Sequence, residues 1–244
     1  MDLKNKNCAI LAHGKSIEEL EKRIQEFKDL NVVWCGMNYF NPTEEVLKLI
    51  NKEFKVVFDC STVKNNVEYE LKGRLPRLRE YLDRNTDNIY ITLRTGRDNL
   101  FDLRNRISPE FNSKYQEKII YGEDLGFDTN QFCVSLHLYI TILYKMGAKK
   151  IFLFGADGGG SGGNNVDSYF QAEIINKDKV LADNVSYNMV GDTNNINSTY
   201  EPIMKNIFGY VPIVLNCSPN STYTAFKKCT YDETLQILRS EYGI

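Results

Sequence analysis

Residues 149–163 read KKIFLFGADGGGSGG, and this stretch decides the fold. Positions 151–154 form an unbroken apolar run, which predicts a strand buried on both faces, since a half-exposed strand would alternate with polar residues. The run stops at Gly155. One carboxylate, Asp157, follows, and then five glycines within residues 158–163. Glycine lets backbone pass close to a ligand and present N–H groups to it, although a glycine run alone is more often a flexible connection. A strand ending in Gly-Ala-Asp carries more weight, because open α/β sheets bind ligands outside the carboxyl ends of their strands.

The same pattern recurs on either side. Residues 8–12 are apolar and run into His13-Gly14-Lys15-Ser16. Ser16 with Glu19 predicts a capping box, and Ile17, Leu20, Ile24 and Phe27 mark one face of the helix it starts. That turn offers Gly14 and the first N–H groups of the helix to an anion, without a full G-x-G-x-x-G or Walker spacing. Residues 32–35 predict a second strand, followed by Gly36-Met37-Asn38, with Asn41 and Pro42 opening a helix. Residues 55–58 and 89–93 predict two more strands, the first ending at Asp59. Residues 129–146 carry a helical face of Phe132, Leu136, Tyr139, Ile140 and Leu143. His137 beside that face reads as structural, and Gly147 ends the helix. Residues 184–198, NVSYNMVGDTNNINS, read as an irregular polar loop. A helix over 198–208 and a strand over 211–216 follow, the strand ending in Cys217-Ser218-Pro219-Asn220-Ser221. Thr230 and Glu233 form a capping box for the last helix. Strands alternating with helices predict a doubly wound, mostly parallel α/β sheet. No repeat or linker divides the chain, so residues 1–244 read as one domain, with 95–126 and 158–198 as lid or loop regions. Arg94, Arg97, Arg104 and Arg106 lie in or beside the first of these and read as solvated surface, with a phosphate or acidic acceptor as the alternative.

Apolar residues make up 42% of the 244, charged residues 25%, and the net charge is −2. That balance argues against broad capture of nucleic acid or anionic membrane. Cysteines 8, 35, 60, 133, 217 and 229 include no C-x-x-C pair, which fits small buried hydrophobes in a reducing compartment and not a disulfide framework. The start has too short an apolar core for a signal peptide, and no run approaches the length of a membrane span. The expected location is cytoplasmic.

Four strand ends therefore converge on one rim: residues 13–16, 36–38, 155–157 and 218–221. Their small, amide and hydroxyl side chains suit hydrogen bonds to a sugar, base or phosphate. No H-E-x-x-H, D-x-D or G-x-S-x-G appears, so neither a metal centre nor a serine-hydrolase elbow is indicated. Asp59, Asp157 and Asp192 would hold Mg²⁺ only if the fold gathers them.

The order of these motifs resembles the bacterial sialyltransferases of glycosyltransferase family 42. Their first strand leads into Gly-Asn-Gly-Pro-Ser-Leu, against Ala12-His13-Gly14-Lys15-Ser16-Ile17. Their Cys-Asn-Gln-Phe-Tyr-Phe stands against residues 35–40, CGMNYF. Their central Leu-Gly and Gly-Ile-Asp stand against Met146-Gly147 and Gly155-Ala156-Asp157. A loop tyrosine corresponds to Tyr169, Ile-Gly-His to Val190-Gly191-Asp192, and Cys-Pro-Asn-Ser to Ser218-Pro219-Asn220-Ser221. The skeleton is also similar to that of flagellin-modifying transferases and hydroxymethylpterin pyrophosphokinase-like proteins. The likeness runs from about residue 8 to 226, apart from 59–126.

The resemblance implies a Rossmann-like, GT-A-like variant of the doubly wound fold with a small lid insertion. It implies a metal-independent, inverting transfer of sugar from a nucleotide-sugar, CMP-linked in the family, to an acceptor hydroxyl on a glycan, a protein or another compound. Gly14, Ser16, Asn38, Ser135, Gly155 and Asp157 would line the donor pocket, with Tyr169, Ser218 and Asn220 reaching its phosphate or sugar. The family's histidine base is replaced by Asp192, and a carboxylate within hydrogen-bond reach can deprotonate an acceptor hydroxyl; His13 is the second candidate base. No cofactor is expected. The alternatives are an ATP- and Mg²⁺-dependent pyrophosphokinase-type transferase and a non-catalytic nucleotide-sensing module. Homo-oligomerisation, the donor and the acceptor stay open.

Overall fold

An apolar run without polar alternation has to be covered on both faces, and both runs of this kind at 8–12 and 151–154 become central strands. The structure, a computed structural model, describes residues 3–12, 14, 16–37, 55–57, 91–93, 113–114, 119–121, 125–126, 135–158 and 179–242. In chain order these hold β1 (Asn7–Leu11), α1 (Ile17–Phe27), β2 (Val32–Met37), β3 (Lys55–Val57), β4 (Ile91–Leu93), β5 (Ile119–Tyr121), α2 (Ser135–Lys145), β6 (Lys150–Phe154), α3 (Lys179–Phe208), β7 (Val214–Asn216), β8 (Lys227–Lys228) and α4 (Tyr231–Tyr242). The main sheet has the order β3-β2-β1-β6-β7-β8, and every pair in it is parallel. Asn7 pairs with Val32 on one side and Lys150 on the other, and Leu11 with Gly36 and Phe154.

Side chains alternate across this sheet, so each strand feeds two layers. Cys8, Ile10, Val33, Cys35, Ile151, Leu153 and Val214 join α2 and α3 in one core. The opposite face is aromatic. Phe27 of α1 meets Trp34 and Phe154 edge-on with ring centroids 5.9 and 5.7 Å apart, and Tyr231 of α4 lies 5.4 Å from Phe154. The buried face of α1 is Ile17, Leu20, Ile24 and Phe27, as its spacing predicts. The sheet is thus an α/β sheet sandwiched between helices. No helix among the described residues is long and apolar enough to cross a membrane.

Three expectations change. The strand at 91–93 does not join the main ladder; β4 pairs with β5, in parallel, as a separate two-stranded sheet. The segment 179–198, expected as loop, is helical and continuous with the helix expected at 198–208. Its polar composition hid a narrow buried stripe: Ile196, Tyr200 and Met204 pack in the core with α2 and the sheet, and Thr193 is buried beside Gly158. The hydroxyls between turn back on the helix, Ser198 Oγ donating to Asn194 O at 2.8 Å and Thr199 Oγ1 to Asn195 O at 2.6 Å. Tertiary burial of one stripe outweighs the weak helix propensity of the asparagines around it. The strand expected at 211–216 is shorter, beginning at Val214, because Pro212 offers no N–H to the ladder, and it is not the last, since β8 follows it. Most of the residues expected as lids, 95–126 and 158–178, lie outside the described residues, as do the four arginines at 94, 97, 104 and 106.

His137 is fully buried in α2, its ring 5.4 Å from that of Tyr200, and neither ring nitrogen has a hydrogen-bond partner among the described residues. Burial lowers its pKa to about 4, so it sits in the core as a neutral ring. Cys8, Cys35, Cys217 and Cys229 are buried and form no disulfide among the described residues, while Cys60 and Cys133 lie outside them.

Candidate functional site

Parallel strands deliver all their carboxyl ends to one rim. Between β1 and β6 the order of connection reverses, since β1 leads outward to β2 and β6 leads outward to β7. Loops leaving two adjacent strands in opposite directions open a crevice, where α/β sheets bind ligands. Here its floor is pinched. The ladder continues past the strands, with Ala12 N donating to Phe154 O at 2.8 Å and Gly14 N to Gly155 O at 2.7 Å. A Cβ on Gly14 would collide with Gly155 O and lie 2.6 Å from the Asp157 carboxylate. Gly155 has φ +68°, and a Cβ there would lie 2.6 Å from Ala12 O. Only glycine fits at either position.

Asp157, half-buried, reaches across this floor to the start of α1. Its Oδ2 accepts from Ser16 N at 2.9 Å and its Oδ1 from the Ser16 hydroxyl. Ser16 Oγ also lies 2.9 Å from Ser218 Oγ. One hydroxyl carries one proton, so with that proton on Asp157, Ser218 is the donor of the second bond and a hydroxyl–hydroxyl–carboxylate chain results. The predicted capping box at Ser16 therefore does not form: Ser16 makes no side-chain cap bond. Asp157, 141 positions away, takes the Ser16 N–H that the Glu19 carboxylate would accept in such a box, and the Ser16 hydroxyl donates to Asp157 and does not accept from Glu19 N, whose partner is Ser16 O at 3.2 Å. A carboxylate is the stronger acceptor for a hydroxyl proton and is favoured at a helix N-terminus. By contrast, the predicted Thr230–Glu233 box is complete, with Thr230 N donating to Glu233 Oε2 at 2.8 Å and Glu233 N to Thr230 Oγ1 at 3.1 Å.

The loop after β7 closes the third side. Ser218 is buried, its N donating to Asn216 Oδ1 at 3.0 Å, and Asn216 Nδ2 in turn donates to Ala156 O at 3.1 Å and Ser221 Oγ at 2.8 Å. Ser221 N donates to Ser218 O at 3.2 Å, leaving Pro219 and Asn220 exposed at the tip of the turn. Thr222 N donates to Asp157 O at 2.8 Å. From α3, Asn197 Nδ2 donates to Thr222 O at 3.2 Å, and its Oδ1 accepts from Thr224 N at 2.7 Å and Ala225 N at 3.2 Å. Exposed Lys228 of β8 ties the loop to the edge strand, its ammonium donating to Ser221 O. Burial lowers the Lys228 pKa and the charge of Asp157 works against that. Burial pushes the Tyr231 phenol well above its usual range, so it remains a donor to Ser16 O at 3.2 Å. Under the loop, Cys217 and Cys229 put their sulfurs 3.2 and 3.3 Å from the Thr234 hydroxyl.

Of the residues expected at the site, Gly14, Ser16, Gly155, Asp157 and Ser218 come together, with Asn220 at the adjoining turn. Asp192 belongs to α3 and precedes Thr193, whose Oγ1 would lie 3.1 Å from a Cβ on Gly158. Ser135 is the first residue of α2. His13, Asn38 and Tyr169 lie outside the described residues. Asn197, Asn216, Thr222 and Lys228 escaped the sequence reading. The available signal was Asn216, a single amide ending the apolar run PIVLN; a polar side chain at the buried end of a strand has to be bonding something. No protein-family model matches the chain, and no curated protein does either.

Proposed function

We propose that the protein is a glycosyltransferase that moves a sugar from a nucleotide-sugar donor to an acceptor hydroxyl, without a metal and with inversion. The observation that carries this reading is the meeting of Gly14, Gly155, Asp157 and Ser218 at the reversal point of the sheet. The two glycines let the ends of β1 and β6 close together into a floor for the crevice, and a carboxylate and a hydroxyl beside them suit ribose or base contacts. The strand order agrees with a Rossmann-like nucleotide site. Both Asp157 oxygens are engaged by Ser16, which favours a hydrogen-bonding role for this carboxylate over metal ligation.

In the reaction, the acceptor oxygen attacks the anomeric carbon from the face opposite the leaving nucleotide. The new C–O bond forms as the sugar–phosphate bond breaks, and the bonding pair leaves on the nucleotide phosphate. A base removes the acceptor's proton as the bond forms. Asp192 is the first candidate for that base and His13 the second.

Thermal-shift titration with CMP-, UDP-, GDP- and dTDP-sugars tests the reading, since a ligand that binds only the folded chain raises its melting temperature. The expected result is stabilisation by one nucleotide class, with slow donor hydrolysis that survives EDTA. Neither binding nor hydrolysis with any donor would sink it. Turnover of ATP that disappears in EDTA and returns with Mg²⁺ would replace it by a pyrophosphokinase-type activity, and binding without turnover by a sensor.

A further inference from the structure

In nucleotide-binding sheets the N-terminus of the first helix commonly receives a phosphate. In this protein that position is filled. Asp157 accepts the Ser16 N–H and the Ser16 hydroxyl, so a phosphate arriving there would meet a fixed carboxylate. A nucleotide entering the crevice needs its phosphate neutralised elsewhere.

The strand at the edge of the sheet offers that elsewhere. β8 consists of Lys227 and Lys228 alone, and successive residues of a strand face opposite sides. Lys227 acts on the Glu233 carboxylate of α4. Lys228 pairs in register with Asn216, shares its side of the sheet, and feels the charge of Asp157 across the crevice. Its ammonium carries three N–H groups, and the one acceptor it has among the described residues is the carbonyl of Ser221. No carboxylate forms an ion pair with it there. The loop it touches is already ordered by Asn197, Asn216 and Asp157, so little freedom remains to be lost when an anion binds.

We propose that Lys228 binds the phosphate of the donor, and that the phosphate lies at the β7–β8 rim beside Ser221 and not at the α1 N-terminus. This rests on the nucleotide-sugar reading. Lys228 then sets the donor's direction: phosphate toward β8, nucleoside over Gly14 and Gly155.

The test is calorimetric titration of the full chain and of K228M, K228R and K227M with CMP, UMP and GMP, with the matching nucleosides, and with inorganic phosphate and pyrophosphate. For the nucleotide that binds, K228M is expected to weaken affinity about tenfold or more, since a hydrogen bond to a charged group is lost. K228R should stay within a few-fold, K227M should match the parent, and nucleoside affinity should be the same in all four. Equal nucleotide affinity in K228M and the parent would overturn the Lys228 proposal while leaving the nucleotide reading intact. So would an equal loss in K227M, which would trace the effect to the strand. Lys228-dependent binding of phosphate or pyrophosphate with no nucleotide bound would keep Lys228 as the anion residue and overturn the nucleotide reading. No binding by any probe overturns both.

Discussion

Two carboxylates sit at opposite ends of the same strands and are satisfied in opposite ways. At the amino end, Glu241 of α4 receives Lys150, Lys149 at 3.0 Å, and Asn7 Nδ2 at 2.8 Å. Burial works against its ionisation, but the hydrogen bonds from Lys150, Asn7 and Lys149 outweigh it and hold the carboxyl down to about 2. At the carboxyl end, Asp157 receives two neutral donors from one serine. The first arrangement is closed: its negative charge is met by two ammoniums, and it pins α4 to β1 and β6. The second leaves the negative charge without an ion-pair partner among the described residues, and an ammonium nearby with protons to spare. An end that only holds the fold together can be ionically complete, whereas an end that binds must keep donors and acceptors in reserve.

The comparison can be broken most severely at Gly155. Alanine there has to adopt φ near +68° and press its Cβ to 2.6 Å from Ala12 O. A loss of about 3 kcal/mol in urea unfolding is expected, the sum of left-handed strain and overpacking. Gly209 has φ +75°, and a methyl group at that position would meet nothing within 4 Å, so Gly209→Ala isolates the strain alone at about 1 kcal/mol. Equal losses would mean that the close approach of β1 and β6 contributes nothing.

The next test compares the carboxylates directly. Asp157→Asn and Glu241→Gln should each cost on the order of 1–2 kcal/mol at neutral pH. High salt should shrink the Glu241 effect, whose partners are partly exposed cations, and spare the Asp157 effect, whose partners are uncharged. The signs with pH also differ by residue. Glu241 has a folded pKa below its ordinary 4.5, so its contribution is present above 4.5 and is lost as pH falls toward 2. His137 is depressed from 6.5 to about 4, so the unfolded chain takes up the proton first, and stability declines as pH falls from 6.5 toward 4. The slope approaches ~1.4 kcal/mol per pH unit. The smallest effect is therefore His137→Leu: a gain of about 1 kcal/mol at neutral pH, from removing two unpartnered nitrogens, with the slope between pH 6.5 and 4.5 flattened. Glu241→Gln should leave that window untouched. An unchanged slope in His137→Leu would show that the ring is not the titrating group.

The parallel sheet was legible because its central strands, CAILA and IFLF, are apolar without alternation, and such runs have few other uses. Ile17, Leu20, Ile24 and Phe27 were legible for the same reason at helical spacing. The helix through 179–198 was not, because its buried stripe of Thr193, Ile196, Tyr200 and Met204 is diluted by asparagines that local propensity assigns to turns. At the site, Gly14, Gly155 and Asp157 could be found from strand ends. That Ser16 would give its cap to Asp157, and that Asn197 and Asn216 would hold the last loop, depends on contacts between distant parts of the chain, which no local pattern records. The Thr230–Glu233 box lies within one turn and was read correctly.

Ser16 meets Asp157 across 141 positions and Ser218 across 202. Loops of that size close late, because their entropy must be offset by many contacts before any one of them is favourable. A nascent chain on the ribosome can therefore assemble β1 and α1 early, yet it has no crevice until Thr222 has emerged and docked on Asp157. On the proposed reading, ligand binding would report that the chain has folded through Thr222, and a chain truncated before β7 should bind nothing.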